Sequence, residues 1–392
     1  MPRLLVLTPA ELTRDVRAVR AARTARDSGY EVVGVSGQVS GEPPVPLDGV
    51  EIVRVGRAAR INELWFGAAA DAPGDGRVRR ELRALFRVAR LLVRSARLWR
   101  AARRLDAPAV VHAHDLDTLP AAYALARGAN ARLVYDAHEL YSEFEAPAPQ
   151  LARRLIILLE GALARRADAV VTVSDGVGRE LRARLRLRRD PLVVPNAPHR
   201  AEVVPAGTSD GPLRVVYQGG LGPGRQLDDL LGAAQAEGAQ LTLRIRMADP
   251  RRLREELASL GIAERVRIAD PVPPAEVLAA LAEFDVGLIF DRPRTRNSDL
   301  SAPNKFYEYL MAGLAVVAPH LETLGPLIVE SGIGRTYDPQ RPDELPRVLQ
   351  ALAGDRDAVA EMKRRSRALA LDRLNAEAAA ETLLHAWNGT TR

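Results

Sequence analysis

Three short stretches hold most of the side chains able to do chemistry: HAHDLDTLP (His112–Pro120), YDAHELYSE (Tyr135–Glu143) and SAPNKFYEYLMAG (Ser301–Gly313). The first two each close an apolar, strand-like run, Ala109–Ala113 and Arg132–Asp136. In a parallel sheet, ligands bind beyond the carboxyl ends of the strands, which makes His114, Asp115, His138 and Glu139 candidates for a binding site. Asp115 and Asp117 have the spacing of a metal pair. With no third hard ligand close in sequence, capping the helix that follows suits them better, and no metal is expected. His138 reads equally as a satisfied structural histidine or as a site residue. The third stretch follows an apolar run, Val286–Phe290, and a polar loop, Asp291–Asp299. Pro303 suits the first turn of a helix, and Phe306, Tyr309, Leu310 and Gly313 recur at helical spacing. Ser301, Asn304 and Lys305 then gather where a helix starts after a buried strand, a place that favours an anionic ligand. Glu308 lies one turn further on. The alternative is an ordinary strand–loop–helix unit with a solvated Lys305–Glu308 pair.

A fourth stretch, Gly219–Arg225 (GGLGPGR), separates the strand-like Leu213–Gln218 from a helical Gln226–Ala236. Gly219, Gly220, Gly222 and Gly224 let backbone N–H groups approach a phosphate, and Arg225 adds charge at the helix start. A flexible turn is the alternative. The first such loop, Thr8–Arg14, has no glycine pair, so the dinucleotide fingerprint is absent there.

These stretches need a frame to position them. Strand-like runs at 3–8, Glu31–Ser36 and Val50–Val55 alternate with a helix over Asp15–Ser28, a pattern that predicts a parallel sheet. Alternation continues to Leu192–Val194, stops in a Pro/Ala/Gly-rich stretch at 196–212, and restarts at Leu213. At 392 residues, two domains are the natural division. We expect residues 1–195 and 213–370 as two Rossmann-like parallel-sheet domains facing a central cleft (an α/β fold). Residues 196–212 form the linker, and a closing helix within 371–392 crosses back to the first domain.

Composition narrows function further. The chain has no cysteine, which excludes disulfides, thiolate metal sites and a cysteine nucleophile. The net charge is +6, carried almost wholly by arginine; the two lysines are Lys305 and Lys363. A lysine kept where arginine is the default offers a compact point charge where a guanidinium fork does not fit. Lys363, in EMKRRSR, reads as an ordinary surface residue. Between Gly76 and Arg104, Leu82, Leu85, Phe86, Ala89, Leu92, Val93, Ala96 and Trp99 repeat at helical spacing among eleven arginines and one acid, Glu81. Such a basic amphipathic helix either lies on an anionic membrane surface or covers the sheet with its arginines solvated. No interleaved aromatics or groove-reading motif support nucleic acid. The amino-terminal apolar run is too short for a signal peptide, and no stretch approaches the ~20 apolar residues of a span. The expected location is cytoplasmic, peripheral at the inner face of the membrane if the 76–104 helix binds lipid.

In order and spacing, VHAHDLDTLP, YDAHELYSE, ADAVVTVSDGV, VVPNAP, VVYQGGLGPGRQLDDLL, FDVGLIF and PNKFYEYLMAGLAVVAP resemble the family 4 glycosyltransferases of the GT-B fold, over nearly the whole chain. The resemblance implies a nucleotide-sugar donor held mainly by the C-terminal half, a hydroxyl acceptor held mainly by the N-terminal half, no obligatory metal or other cofactor, and retention of anomeric configuration. It assigns Glu308 to the ribose hydroxyls, Arg225 to the donor diphosphate and His138 to a place beside the transferred sugar. Gly219–Gly224, Ser301, Asn304 and Lys305 fall on the donor side, and Arg17, His114, Asp115 and Glu139 on the acceptor side. In this sequence Leu300 stands where the family's first motif glutamate falls, Gly220 where many members have arginine, and Arg14-Asp15-Val16-Arg17 where others have glycines. Two other readings are a GT-B epimerase acting on the nucleotide sugar, which wants paired carboxylates not found here, and a catalytically degenerate partner protein, for which Leu300 argues.

Overall fold

The structure, a computed structural model, describes residues 1–37, 45–56, 77–143, 150–208, 211–220, 232–245, 250–290, 293, 295–341 and 343–389. The chain divides into two compact units: Met1–Val194 with Ala379–Arg392, and Pro195–Ala378. Residues 196–212 fall within the second unit.

The first unit carries a seven-stranded parallel sheet built from β1 (Arg3–Thr8), β2 (Glu31–Ser36), β3 (Val50–Arg54), β4 (Val110–His114), β5 (Arg132–Ala137), β6 (Ala169–Thr172) and β7 (Leu192–Val193), in the order β3-β2-β1-β4-β5-β6-β7. The order reverses between β1 and β4, which opens a crevice beyond their carboxyl ends. Helix α1 (Val16–Asp27) starts where Asp15 accepts from the backbone N–H groups of Arg17 and Ala18. Helices α2 (Arg77–Ala102), α3 (Leu119–Ala129), α4 (Gln150–Ala164) and α5 (Asp175–Leu185) follow. Side chains alternate across a strand, so Val110, His112 and His114 of β4 share a face with Val134 and Asp136 of β5. That face packs on α1 and on the carboxyl-terminal residues Ala379, Leu383, Ala386 and Trp387.

Of the two readings of 76–104, the structure removes the one in which the periodic apolar stripe covers the sheet. The helix forms, but it buries Leu91, Ser95, Leu98 and Ala102. The more strongly patterned stripe faces out: Leu82, Phe86 and Val93 are 51%, 60% and 53% exposed. The buried stripe packs mainly on the neighbouring helices α3 and α4, and Ser95 Oγ accepts from Ala121 N of α3 at 2.8 Å. Side chains of arginines 77, 79, 80, 83 and 87 lie outside the described residues.

The second unit repeats the design with six parallel strands: β8 (Leu213–Gly219), β9 (Ala239–Ile245), β10 (Val266–Ala269), β11 (Val286–Leu288), β12 (Ala315–Pro319) and β13 (Gly334–Tyr337), in the order β10-β9-β8-β11-β12-β13. Its reversal lies between β8 and β11. The last strand, GRTY, carries no apolar run and was not evident from sequence. Gly334 is required there, since an added Cβ would collide with the Val316 backbone. Helices α6 (Pro250–Ser259), α7 (Val277–Leu281), α8 (Arg296–Leu300), α9 (Asn304–Met311), α10 (Leu324–Glu330), α11 (Glu344–Gly354) and α12 (Arg356–Asp372) complete the unit; α13 (Ala376–Asn388) begins in it and carries the chain into the first.

Lys363 is not a surface residue. It is 6% exposed, and its ammonium donates to Ala206 O and Phe284 O (2.8 Å each) and to Asp285 Oδ1 (3.1 Å). Both lysines of this arginine-rich chain are buried, as expected where three short-range donors must converge from one point charge.

Candidate functional site

Each unit gathers polar side chains beyond the carboxyl ends of its strands, where its strand order reverses. In the second unit, Gln218 is the next-to-last residue of β8, on the face shared with Val216, the face covered by α9. Its Nε2 donates to Glu308 Oε2 at 3.1 Å. Helix α9 is fixed against β8 and β11 by Tyr309, whose hydroxyl accepts from Gln218 N (2.9 Å) and donates to Leu288 O (3.2 Å). Lys305, 7% exposed, donates to the Tyr217 hydroxyl (3.1 Å) and lies over that ring, 4.3 Å from its centroid. The Tyr217 hydroxyl in turn donates to Gly220 O at 3.1 Å. Gly219 adopts φ +139°, and Lys305 Nζ lies 3.5 Å from where its Cβ would sit. The ammonium is therefore held at the root of the glycine turn, not on a solvated helix face.

Ser301 is half-buried and its Oγ donates to Asn297 O (2.6 Å); Asn304 is exposed. Pro303 sits one place before the helix, extended at φ −70°, ψ 152°. Part of the expected polar loop is the short helix α8, because Thr295 and Ser298 form a reciprocal capping box. Leu300 is fully buried, and the neighbouring carboxylate does not replace a glutamate there: Asp299 pairs with Arg296 (3.2 Å) and accepts from Glu322 N (3.1 Å). Gly222, Gly224 and Arg225 lie outside the described residues.

In the first unit, Arg17 reaches from the start of α1 to Asp136 at the end of β5. Its Nε and Nη2 donate to Oδ2 and Oδ1 at 2.8 Å each, and Nη1 donates to Val194 O at 2.6 Å. Three histidines surround that carboxylate: His112 Nε2 and His114 Nδ1 are 3.6 Å from Oδ2, and His138 Nε2 is 3.8 Å away. His112 and His114 stack with ring centroids 4.5 Å apart, and His114 Nδ1 meets His138 Nε2 at 2.9 Å. Asp115 is the one strained residue here, with φ 67°. Its carboxylate accepts from His138 N (3.3 Å) and lies 3.4 Å from His138 Nδ1. The expectation that Asp115 or Asp117 caps the next helix is therefore corrected. Helix α3 starts at Thr118 without a side-chain cap, and Asp117 instead accepts from the Tyr141 hydroxyl at 2.9 Å. Glu139 is exposed and stands apart from the cluster's hydrogen bonds.

Charge is distributed accordingly. Burial opposes ionisation of Asp136, but Arg17 and the histidines outweigh it and hold its carboxyl well below the usual range. Burial, with the charge of Asp136, pushes Asp115 well above it. Burial lowers His114 strongly and His138 less so, the latter opposed by Asp136. The cluster is thus one ion pair, Arg17–Asp136, beside the neutral imidazoles of His114 and His138. His112, His114 and Asp136 could converge on a cation, their ligand atoms lying within 4.8 Å of one another. Both Asp136 oxygens are already occupied by a guanidinium, so the donor set does not suit a metal. Asp136, His112, Gln218 and Tyr217 were missed as individuals. The first two lay inside motifs already singled out, and Gln218 carries no sequence signal beyond its place before a glycine turn.

The two parallel-sheet units have the GT-B fold. Residues 15–197 match the family described as "Glycosyl transferase 4-like domain", bearing out the resemblance to the family 4 enzymes. A search of curated protein sequences finds no match. Among solved structures, sucrose-phosphate synthase from Thermosynechococcus elongatus aligns with TM-score 0.74 and 14% identity over 99% of each chain. Anabaena HepE in complex with UDP-glucose gives 0.67 and 14% over the whole of both chains, and a glycosyltransferase from Rickettsia africae gives 0.71 and 12% over 99% and 98%. At these identities the likeness establishes the fold.

Proposed function

We propose that this chain is a retaining glycosyltransferase that moves a sugar from a nucleotide-diphosphate sugar to the hydroxyl of a lipid-linked or polysaccharide acceptor at an anionic membrane surface. The observation that carries the donor part is the Gln218–Glu308 pair beside buried Lys305, at the strand-order reversal of the second unit. A half-buried carboxylate held by an amide suits a ribose diol, and a buried ammonium at a glycine turn suits a diphosphate. The HepE complex supports a nucleotide-sugar donor, since that protein shares the fold. In the reaction the bond between the anomeric carbon and the phosphate oxygen breaks, and the acceptor oxygen bonds to that carbon on the same face. The acceptor proton passes to the departing phosphate oxygen. Lys305 stabilises the charge that grows on the diphosphate, and His138 lies beside the transferred sugar.

The membrane part rests on α2 and α4. Exposed Leu82, Phe86 and Val93 continue onto exposed Leu151, Leu155 and Leu158, the helices being joined where Glu81 accepts from the Leu151 and Ala152 N–H groups. Exposed Arg97 and Arg100 add positive charge along α2. Among the described residues no helix is long and apolar enough to cross a membrane.

A thermal-shift screen against UDP-, GDP- and dTDP-sugars tests the donor, since a ligand of the folded state raises its melting temperature. Stabilisation by one of them, lost in Glu308→Ala, is expected; equal stabilisation of both proteins would overturn the assignment of Glu308. Binding without any transfer or donor hydrolysis would favour the degenerate-partner reading, in which buried Leu300 has replaced an essential carboxylate. Sedimentation with liposomes should increase with anionic lipid and fall in Phe86→Ser; indifference to lipid charge would remove the membrane part.

A further inference from the structure

The indole of Trp387 makes a hydrogen bond that the proposed reaction does not use. Its Nε1 lies 3.1 Å from His112 Nδ1, 275 residues away in sequence, and both side chains are buried. The indole is held firmly: Tyr30 meets it edge-on at 6.0 Å, the Tyr30 hydroxyl donates to Asn388 Oδ1 (2.7 Å), and Arg132 Nε donates to Ala386 O (2.7 Å).

An indole N–H can only donate, so His112 Nδ1 must be an acceptor. Neutral His112 then carries its proton on Nε2, the nitrogen 3.6 Å from Asp136 Oδ2. At that separation the N–H acts on the carboxylate as a dipole and not as a hydrogen bond. His114 Nε2 is buried without a hydrogen-bond partner among the described residues. His112 Nε2 is likewise without one, its proton forced there by the indole; in His114 only Nδ1 has a partner, His138 Nε2, so the His114 proton belongs on Nδ1. There it faces the anionic Asp136 oxygen at 3.6 Å and donates to His138 Nε2 at 2.9 Å. His138 in turn carries its own proton on Nδ1, towards Asp115 Oδ2 at 3.4 Å.

We infer that Trp387 is a positioning residue for the first-unit site: its N–H fixes His112 as the Nε2–H tautomer and so turns that N–H towards the Asp136 carboxylate, which His114 and His138 also face. This rests on the transferase reading for its consequence, but its protonation pattern stands independently. The carboxyl-terminal helix thereby does more than pack on the sheet, since it sets the protonation of an imidazole that faces the Asp136 carboxylate and stacks on His114.

The test is two-dimensional ¹⁵N NMR of the full-length protein labelled at histidine, with six histidines to assign. The expected result is His112 protonated on Nε2 and His114 and His138 on Nδ1. His112 protonated on Nδ1, or His138 on Nε2, in the unmodified protein would overturn the inference with no variant needed. Trp387→Phe keeps the ring packing and removes the N–H. It is expected to give His112 a mixture of tautomers, perturb the signals of the stacked His114, and lower kcat on the order of tenfold with KM for the donor little changed. Unchanged histidine signals, or shifted signals with unchanged kcat, would refute the positioning role. If no transfer is found for any donor, the transferase reading fails, and the tautomer result is still decided by the NMR.

Discussion

Gly287 sits in the middle of β11, directly beneath the ring of Tyr309, and the substitution Gly287→Ala tests how α9 is held. A Cβ there would lie 2.8 Å from Tyr309 Cδ1 and closer still to Cγ and Cδ2, where ordinary contact is 3.4–4 Å. Tyr309 is fully buried, and its hydroxyl bridges Gln218 N and Leu288 O, so the ring cannot step aside without breaking at least one of those bonds. Overpacking costs about 1–3 kcal/mol and a lost hydrogen bond about 1 kcal/mol, so the second unit should lose about 2–4 kcal/mol. Two units need not unfold together, so one global melting curve is the wrong assay. Hydrogen exchange read on peptides from β8 and α9 isolates the effect, with protection falling roughly 30- to 700-fold where exchange follows unfolding of the unit. Gln218 and Glu308 move with Tyr309, so nucleotide affinity should fall about fivefold or more. Tyr309→Phe separates the causes, since it removes the hydroxyl without adding bulk. Protection in Gly287→Ala within about 0.5 kcal/mol of the parent would refute the claim that Gly287 exists to admit the Tyr309 ring.

Other substitutions probe the rest of the frame. Asp136→Asn deprives buried Arg17 of its bidentate carboxylate and should destabilise the first unit by about 3–5 kcal/mol in urea unfolding followed by tryptophan fluorescence; an effect below about 1 kcal/mol would show that the pair is dispensable. Because the folded-state value of Asp136 is depressed, its contribution is present above the unfolded carboxylate pKa and is lost as pH falls through the folded one, so acid should unfold this unit and Asp136→Asn should flatten that limb. Glu160, 2% exposed and accepting from the Tyr135 hydroxyl at 2.7 Å, is pushed up by burial from 4.5 to about 7. The sign is opposite: stability is full below pH 4.5 and falls as pH rises to about 7. Glu160→Gln should then gain up to about 3 kcal/mol at pH 8, and no gain there would refute the burial penalty. Lys363→Arg, conservative in charge, should cost about 1–3 kcal/mol, measured as lost exchange protection in α12, because a fork cannot occupy a site shaped for one ammonium.

The sequence by itself determined the architecture. Alternation of apolar runs with helical spacing, broken once near residue 196 and then restarted, led to two parallel α/β halves. Motif order carried the resemblance to a family, and the polar clusters after β4, β5 and β11 were placed where strand ends must put them. These are local properties: a strand buried on both faces is mostly apolar, and a chain leaving it must turn at its carboxyl end. What only the tertiary structure decided is which side chains meet. Arg17 finds Asp136 across 119 positions, Gln218 finds Glu308 across 90, and Trp387 finds His112 across 275. No periodicity encodes such pairings, because they depend on which strands become neighbours where the order reverses. The same cause left α2 with two readings and misled the one of Lys363. Helical spacing says that a helix has an apolar stripe and a charged one, but only the packing of neighbours decides which is covered.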